Sequence, residues 1–280
     1  MNALRALLLP VLWLVSAGGL VAQETVRRDS TVTPAPIVMR RDFAVLGAGA
    51  GLAFLAQRVD LRVRNEVRSA GWQENGALRA IEPVGDLWGG AVAVGAGFAL
   101  WGGGVYARNA TVAATGFRAI EAITVSGQIT ALLKGAIGRA RPRVDSTDAW
   151  NVEFGRGFRG TDGDYKSMPS GHTTAAFAFA AAVTGEVALR SPKHARLVGV
   201  TTYGLAGITA YSRMHSNAHW LSDVTMGAAI GMASGWAVTR WHATRPGNRV
   251  DQIFLGRALS PIITRSPHGG MLVGASVAWR

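Results

Sequence analysis

The chain has no cysteine. That excludes disulfides, thiolate nucleophiles, Cys-ligated zinc and a lipid-modified N-terminal cysteine. Charge is also scarce. Only 16% of the 280 residues are Asp, Glu, Lys or Arg, against 49% apolar residues, which is low for a water-soluble domain. Lysine is nearly missing: Lys134, Lys166 and Lys193 are the whole set, so a lysine at a motif position carries more information than usual. Acids are outnumbered, 17 to 29, leaving a net charge of +12. Such a charge points first to nucleic acid. The arginines are scattered, however, and the apolar runs are long. The partner expected is therefore anionic lipid or a phosphate-bearing substrate, with no nucleic acid.

What is abundant is glycine, 36 residues, with much alanine, a composition that lets helices pack closely. Residues 1–22 read as a signal peptide: Arg5, an apolar core Ala6–Val15, then the small residues Gly18–Ala22. An uncleaved anchor helix is the alternative. A polar linker with Thr33-Pro34-Ala35-Pro36 follows over 23–41. Apolar segments then recur at Phe43–Gln57, Leu87–Ala107, Phe117–Leu133, His172–Leu189, Leu197–Tyr211 and Val224–Thr239. Leu87–Ala107 has no charge and is long enough to cross a bilayer. Glu121 and Glu186 interrupt two others, and an acid inside a span is costly, which keeps a soluble bundle open. The stretch around Leu61–Ile81 is amphipathic and predicts a helix lying across the core. The pattern is all-α, a bundle of about six helices, with a C-terminal extension over 243–280. There Met271–Val277 alternates with period two after Arg265-Ser266-Pro267-His268-Gly269, predicting a small β-hairpin.

Three short pieces carry chemistry. Lys134 stands seven residues before Arg141-Pro142, two helical turns on one face if the helix runs that far. Pro142 should end the helix near Arg141. Arginine offers phosphate a planar fork and lysine a point charge. Pro169-Ser170-Gly171-His172 opens an Ala-rich helix, with Ser170 as N-cap and the N–H groups of Gly171 and His172 facing outward. An ordinary capped helix start would look the same. Ser212-Arg213 precedes His219 and Asp223, and the last two are four apart, one turn on a common helix face. A carboxylate on one ring nitrogen fixes the tautomer and frees the other nitrogen to attack. Alone, such a pair is most often a surface contact. Together the pieces supply three cations, two histidines and one carboxylate, enough to transfer a phosphoryl group with no metal and no cofactor. His215, four before His219, mimics a metal pair but has no third ligand and reads as a loop residue. Asp162-Gly163-Asp164 is a fragment of a calcium loop without the remaining ligands. Arg139 and Arg143 flank the phosphate cations and set local potential, and Tyr165 and Lys166 could line an entrance.

Lys134-x6-Arg141-Pro142, Pro169-Ser170-Gly171-His172 and Ser212-Arg213-x5-His219-x3-Asp223 resemble the signature of the type 2 phosphatidic acid phosphatase (PAP2) superfamily. That superfamily includes bacterial acid phosphatases and vanadium haloperoxidases. The resemblance covers about residues 58–241 and places a PAP2-like domain at 42–242. It implies a helical fold and hydrolysis of phosphomonoesters or pyrophosphates. It also implies His219 as nucleophile forming a phosphohistidine, Asp223 as its orienting partner and His172 as general acid. Lys134, Arg141, Ser170, Gly171 and Arg213 would bind phosphate. Lipid phosphates are the first substrate expected. A periplasmic acid phosphatase acting on soluble phosphomonoesters is the alternative, ahead of a haloperoxidase or a non-catalytic envelope protein. The expected location is the cell envelope, membrane-associated, with the site facing the periplasm or the whole domain soluble there.

Overall fold

In the computed structural model, residues 36, 38–160 and 163–255 are described, with the backbone of 259–265 and 271–277. The protein is mostly helical. Its elements are α1 Arg40–Gln57, α2 Asp60–Val67, α3 Ala70–Gln73, α4 Gly76–Leu87, a π-helical turn Trp88–Val92, α5 Ala93–Tyr106, α6 Ala110–Ile137, α7 Arg156–Arg159, α8 Gly171–Arg190, α9 Pro192–His215, α10 Leu221–Ala243 and α11 Arg249–Leu255. The leader expected at 1–22, and the linker up to residue 35, lie outside the described residues. The hairpin expected in the extension falls on a segment whose turn and side chains also lie outside them.

Small residues decide the architecture. Helix α8 is the central element, packed by α6, α9 and α10, and Ala176, Ala178, Ala180, Ala181 and Ala182 are all buried. Across from it, Gly227, Gly231 and Gly235 form a line along α10 at four-residue spacing. A Cβ on Gly227 would come 2.6 Å from Ser170 O, one on Gly235 2.6 Å from Ala181 Cβ, and one on Gly231 would collide with Thr174 O. The two backbones therefore touch, and the N-termini of α8 and α10 lie side by side, joined by Ser170 N–H donating to Asp223 O at 3.0 Å. Both termini carry motif residues, so the glycine line positions the site. Gly231→Ala should cost about 1–3 kcal/mol of unfolding free energy by overpacking. Gly102→Ala, with open space around it, should cost nothing. Urea denaturation of the two variants checks this.

Two expectations are corrected. The stretch Leu61–Ile81 is not one helix but α2, α3 and the start of α4. Asn75 interrupts it, its side chain accepting from Ala77 N and Leu78 N at 3.0 and 3.2 Å, because a short polar side chain offers the backbone an N-cap instead of continued helix. Helix α6 stops at Ile137 rather than near Pro142. Gly138 adopts φ 61° there, a left-handed cap that glycine takes without strain, and a Cβ would strike Glu153 O. Arg141 is consequently in the loop after α6 and shares no helix face with Lys134.

Charges inside the bundle are paired. Asp42 meets Arg240, Glu186 meets Arg118 and Arg190, and Glu121 Oε2 lies 2.6 Å from His242 Nε2. Glu121 and Glu186 thus face neighbouring helices. By length and composition, one helix among the described residues, Gly76–Tyr106, could cross a membrane, or two if the bent pair Arg40–Gln57 and Asp60–Val67 is counted as one span.

Candidate active site

The three sequence pieces meet at one end of the bundle. His219 does not sit on a helix with Asp223, as its spacing suggests. It lies in the turn before α10, with its N–H and that of Ala218 both donating to Arg213 O at 3.0 and 3.1 Å. That turn still brings the ring to the carboxylate. Nδ1 is 3.5 Å from Asp223 Oδ2, at the outer limit of a hydrogen bond, and Nε2 is 3.2 Å from Arg141 Nη1. A guanidinium can only donate, so Nε2 must present its lone pair and Nδ1 carries the proton. Burial, only partly opposed by Asp223, pushes the His219 imidazole down to about 3. It is therefore neutral near pH 7, as a nucleophile must be.

Asp223 is fully enclosed by donors. Arg139 Nη1 reaches Oδ1 at 2.6 Å, while Ser167 Oγ and Trp220 N–H reach Oδ2 at 2.5 and 2.9 Å. Burial alone would raise its carboxyl, but Arg139 and the hydrogen bonds outweigh it and hold Asp223 well below the usual range. Arg139 is itself buried and bridges onward, through Nη2 to Asp60 Oδ2 at 2.8 Å and through Nη1 to Ser222 Oγ at 2.6 Å. Asp60 Oδ1 accepts from Ser222 N–H at 3.0 Å. The Asp223 carboxylate is thus fixed by a closed network reaching α2. Sequence reasoning gave Arg139 only an influence on local potential and missed Asp60, Asp86 and Ser167. The one available signal for Arg139 was its place two residues before Arg141.

The cations are held by neutral and charged groups alike. Lys134 Nζ donates to Lys166 O and to Ser167 O, the latter at 3.3 Å. Burial and the neighbouring Arg141 lower Lys134 to about 7. Arg141 donates through Nε to Gly163 O at 2.7 Å and through Nη1 to Ala218 O at 2.9 Å. Arg213 pairs with Asp86 on α4, and His172 Nε2 lies 4.0 Å from the same carboxylate. Gly171 faces Lys134, a Cβ there coming 3.7 Å from Lys134 Cε. Ser170 occupies the N-cap position of α8 but makes no side-chain capping bond. Its hydroxyl instead accepts from Thr173 Oγ1 at 3.0 Å, leaving the first N–H groups of the helix open to an anion.

Other candidates have plainer positions. His215 is not a loop residue: it is buried in the last turn of α9, its ring 5.4 Å from Tyr211. Lys166 Nζ turns to Gly160 O at 2.9 Å, and Tyr165 lies beneath the Arg156 guanidinium at 3.5 Å. Asp164 pairs with Arg143 at 3.0 Å. Asp162 is outside the described residues. Among the described residues, no group of three or more His, Asp or Glu could hold a metal ion.

Residues 115–246 match the sequence model of the PAP2 superfamily. Over 88 residues the chain is 41% identical to a lipid A 1-phosphatase of Porphyromonas gingivalis, an alignment covering 31% of this chain and 19% of that protein. The chain therefore matches about a fifth of that relative's length. No solved structure gives a significant match.

Proposed function

We propose, with the PAP2 superfamily match over residues 115–246 as the premise, that the chain is a phosphoric monoester hydrolase acting on lipid phosphates through a phosphohistidine. The observation that carries the reading is the neutral, buried His219, with Nε2 toward Arg141 and Nδ1 toward Asp223. Substrate phosphate draws Arg141 onto its oxygens and uncovers the Nε2 lone pair. Nε2 then bonds to phosphorus as the P–O ester bond breaks, and protonated His172 gives its proton to the departing oxygen. Asp223 stabilises the imidazolium that forms at His219. In the second half, neutral His172 takes a proton from water, the hydroxide bonds to phosphorus, and the P–N bond breaks to release phosphate. Lys134, Arg141, Arg213 and the N–H groups at Gly171 and His172 neutralise the equatorial oxygens. The reading requires no metal: hydrolysis of p-nitrophenyl phosphate should survive EDTA, and loss of activity restored only by a divalent ion would refute that part of it.

A lipid substrate is supported by the similarity to a lipid A 1-phosphatase and by the length and composition of Gly76–Tyr106. We place the protein in the cell envelope, membrane-associated, with the site toward the periplasm. Fractionation with and without detergent tests the membrane association. Recovery of the chain in the soluble fraction without detergent would instead favour the reading on soluble phosphomonoesters. A C-terminal β-hairpin belongs to the same proposal, supported by antiparallel pairing of Leu259–Arg265 with Met271–Val277.

The lowered Lys134 gives a pH prediction. With a pKa of about 7, the ammonium is present below that pH and lost above it. Phosphate binding needs the ammonium, so kcat/KM should fall more steeply above about pH 7, by up to a further tenfold per pH unit. Lys134→Arg should remove the lysine's share of that limb and leave the part set by the general acid His172, whose imidazole burial and then Arg213 hold below its ordinary value. A profile flat to pH 9 in the wild type would contradict it.

A further inference from the structure

Of the three phosphate-directed cations, Arg213 alone meets a carboxylate among the described residues. Lys134 and Arg141 are held by carbonyl oxygens, whereas Arg213 Nη1 pairs with Asp86. Asp86 stands where two catalytic elements converge. Gly85 presses α4 against α9, a Cβ there coming 2.5 Å from Ile208 O and 2.8 Å from Ser212 Cβ. Gly89 presses the π-helical turn against α8, at 2.8 Å from His172 Cβ. The close approach of both glycines fixes the backbone of Asp86 between Arg213 and His172. Irregular helical turns of this kind concentrate at functional sites. The Asp86 side chain is 47% exposed, while that of Arg213 is 14% exposed.

A carboxylate and a phosphoryl group compete for the same guanidinium fork. Arg213 also keeps a donor in reserve, since its Nε is buried without a hydrogen-bond partner. One carboxylate oxygen on Nη1 leaves that donor unmet, whereas two phosphoryl oxygens can take Nε and Nη2 together, the pair that shares one edge of the guanidinium. We propose that Asp86 is a positioning residue: it holds Arg213 in the empty site, is displaced from it by the substrate's phosphoryl group, and then turns its carboxylate to His172. The exchange keeps Arg213 aligned without substrate and weakens the hold on product phosphate. It also supports the protonated His172 at the moment a leaving group needs a proton. No bond other than hydrogen bonds and ion pairs is made or broken.

This inference rests on the phosphatase reading, and one experiment separates the two. Inorganic phosphate and vanadate binding are measured by calorimetry, which needs no turnover, on wild type, Asp86→Asn and Asp86→Glu. Wild type that binds neither anion would refute the phosphate site itself. With binding established, Asp86→Asn should bind both anions about tenfold more tightly, the scale of one lost competing charge contact near a protein surface. Asp86→Glu, which keeps the charge, should bind close to wild type and so serves as a control for folding. Turnover adds a second readout. Asp86→Asn should lower kcat/KM for an alkyl phosphate at least tenfold relative to that for p-nitrophenyl phosphate, because in the phosphorylation step that kcat/KM reports only the poor leaving group depends on His172. Unchanged or weaker anion binding in Asp86→Asn, or equal changes of kcat/KM on both substrates, would overturn the role and leave Asp86 a structural partner of Arg213.

Discussion

His219→Ala should abolish turnover, a loss of about 10⁴-fold or more, because no other group in the site can attack phosphorus. Anion binding should persist, since Lys134, Arg141 and Arg213 are retained. A separate signature shows that the variant is folded. In the wild type His219 is neutral, with a pKa of about 3, while in the unfolded chain it takes up a proton near pH 6.5. The unfolded state then binds more protons between those values, so wild-type stability falls as pH drops from about 6.5 toward 3. His219→Ala removes this contribution and should lose stability less steeply over the same window. Near-normal turnover in the variant would remove His219 from the mechanism.

Asp223→Asn should have the second largest effect, slowing kcat by about 10³–10⁴ while KM changes little. The environment explains why an isosteric change is so damaging. Every contact to the carboxylate is a donor: Arg139, Ser167 and Trp220 N–H, with the His219 Nδ1 proton facing it. An amide nitrogen placed on either side would face another donor. The imidazole loses the partner that fixes its tautomer, and Arg139 loses one of its two carboxylates. Breaking a buried pair on one side typically costs about 3–5 kcal/mol. Retention of Asp60, 2.8 Å from Arg139, should keep the loss toward the lower end. Chemical denaturation at pH 7 and steady-state kinetics on one preparation measure both effects. A folded variant with full kcat would show that the carboxylate orients nothing.

The residues of the site were legible in the sequence because the chemistry demands particular side chains at particular separations. Lys134, Arg141, Ser170, Gly171, His172, Arg213, His219 and Asp223 were nominated from spacing together with the resemblance to the PAP2 superfamily, and the structure brings them to one end of the bundle. Their local geometry was less legible. The seven-residue step from Lys134 to Arg141 suggests one helix face, but Gly138 in a left-handed conformation ends the helix between them. The four-residue step from His219 to Asp223 suggests one helical turn, but α10 begins at Leu221 and the contact comes from a capping loop. In both cases the turn delivers the side chains that the periodic argument asked for, by a different route. The supporting shell was hidden for another reason. Asp60 lies 163 residues before Asp223, and Asp86 lies 127 before Arg213. Neither carries a local spacing pattern, and only packing brings them near. The Ala- and Gly-rich helices gave equivocal hydropathy, because their small side chains serve close packing as much as burial in lipid.

The most direct test of the account is to trap the phosphoenzyme. Wild type is mixed with p-nitrophenyl phosphate labelled in its phosphoryl group, whose leaving group departs without an acid, quenched in alkali within one turnover, digested and mapped by mass spectrometry. Phosphohistidine survives alkali and decays in acid, so the account predicts acid-labile phosphate on the peptide containing His219, absent in His219→Ala and accumulating in His172→Ala, where the second step lacks its base. Burst turnover with no phosphate on that peptide, or phosphate mapped to another residue, would contradict it.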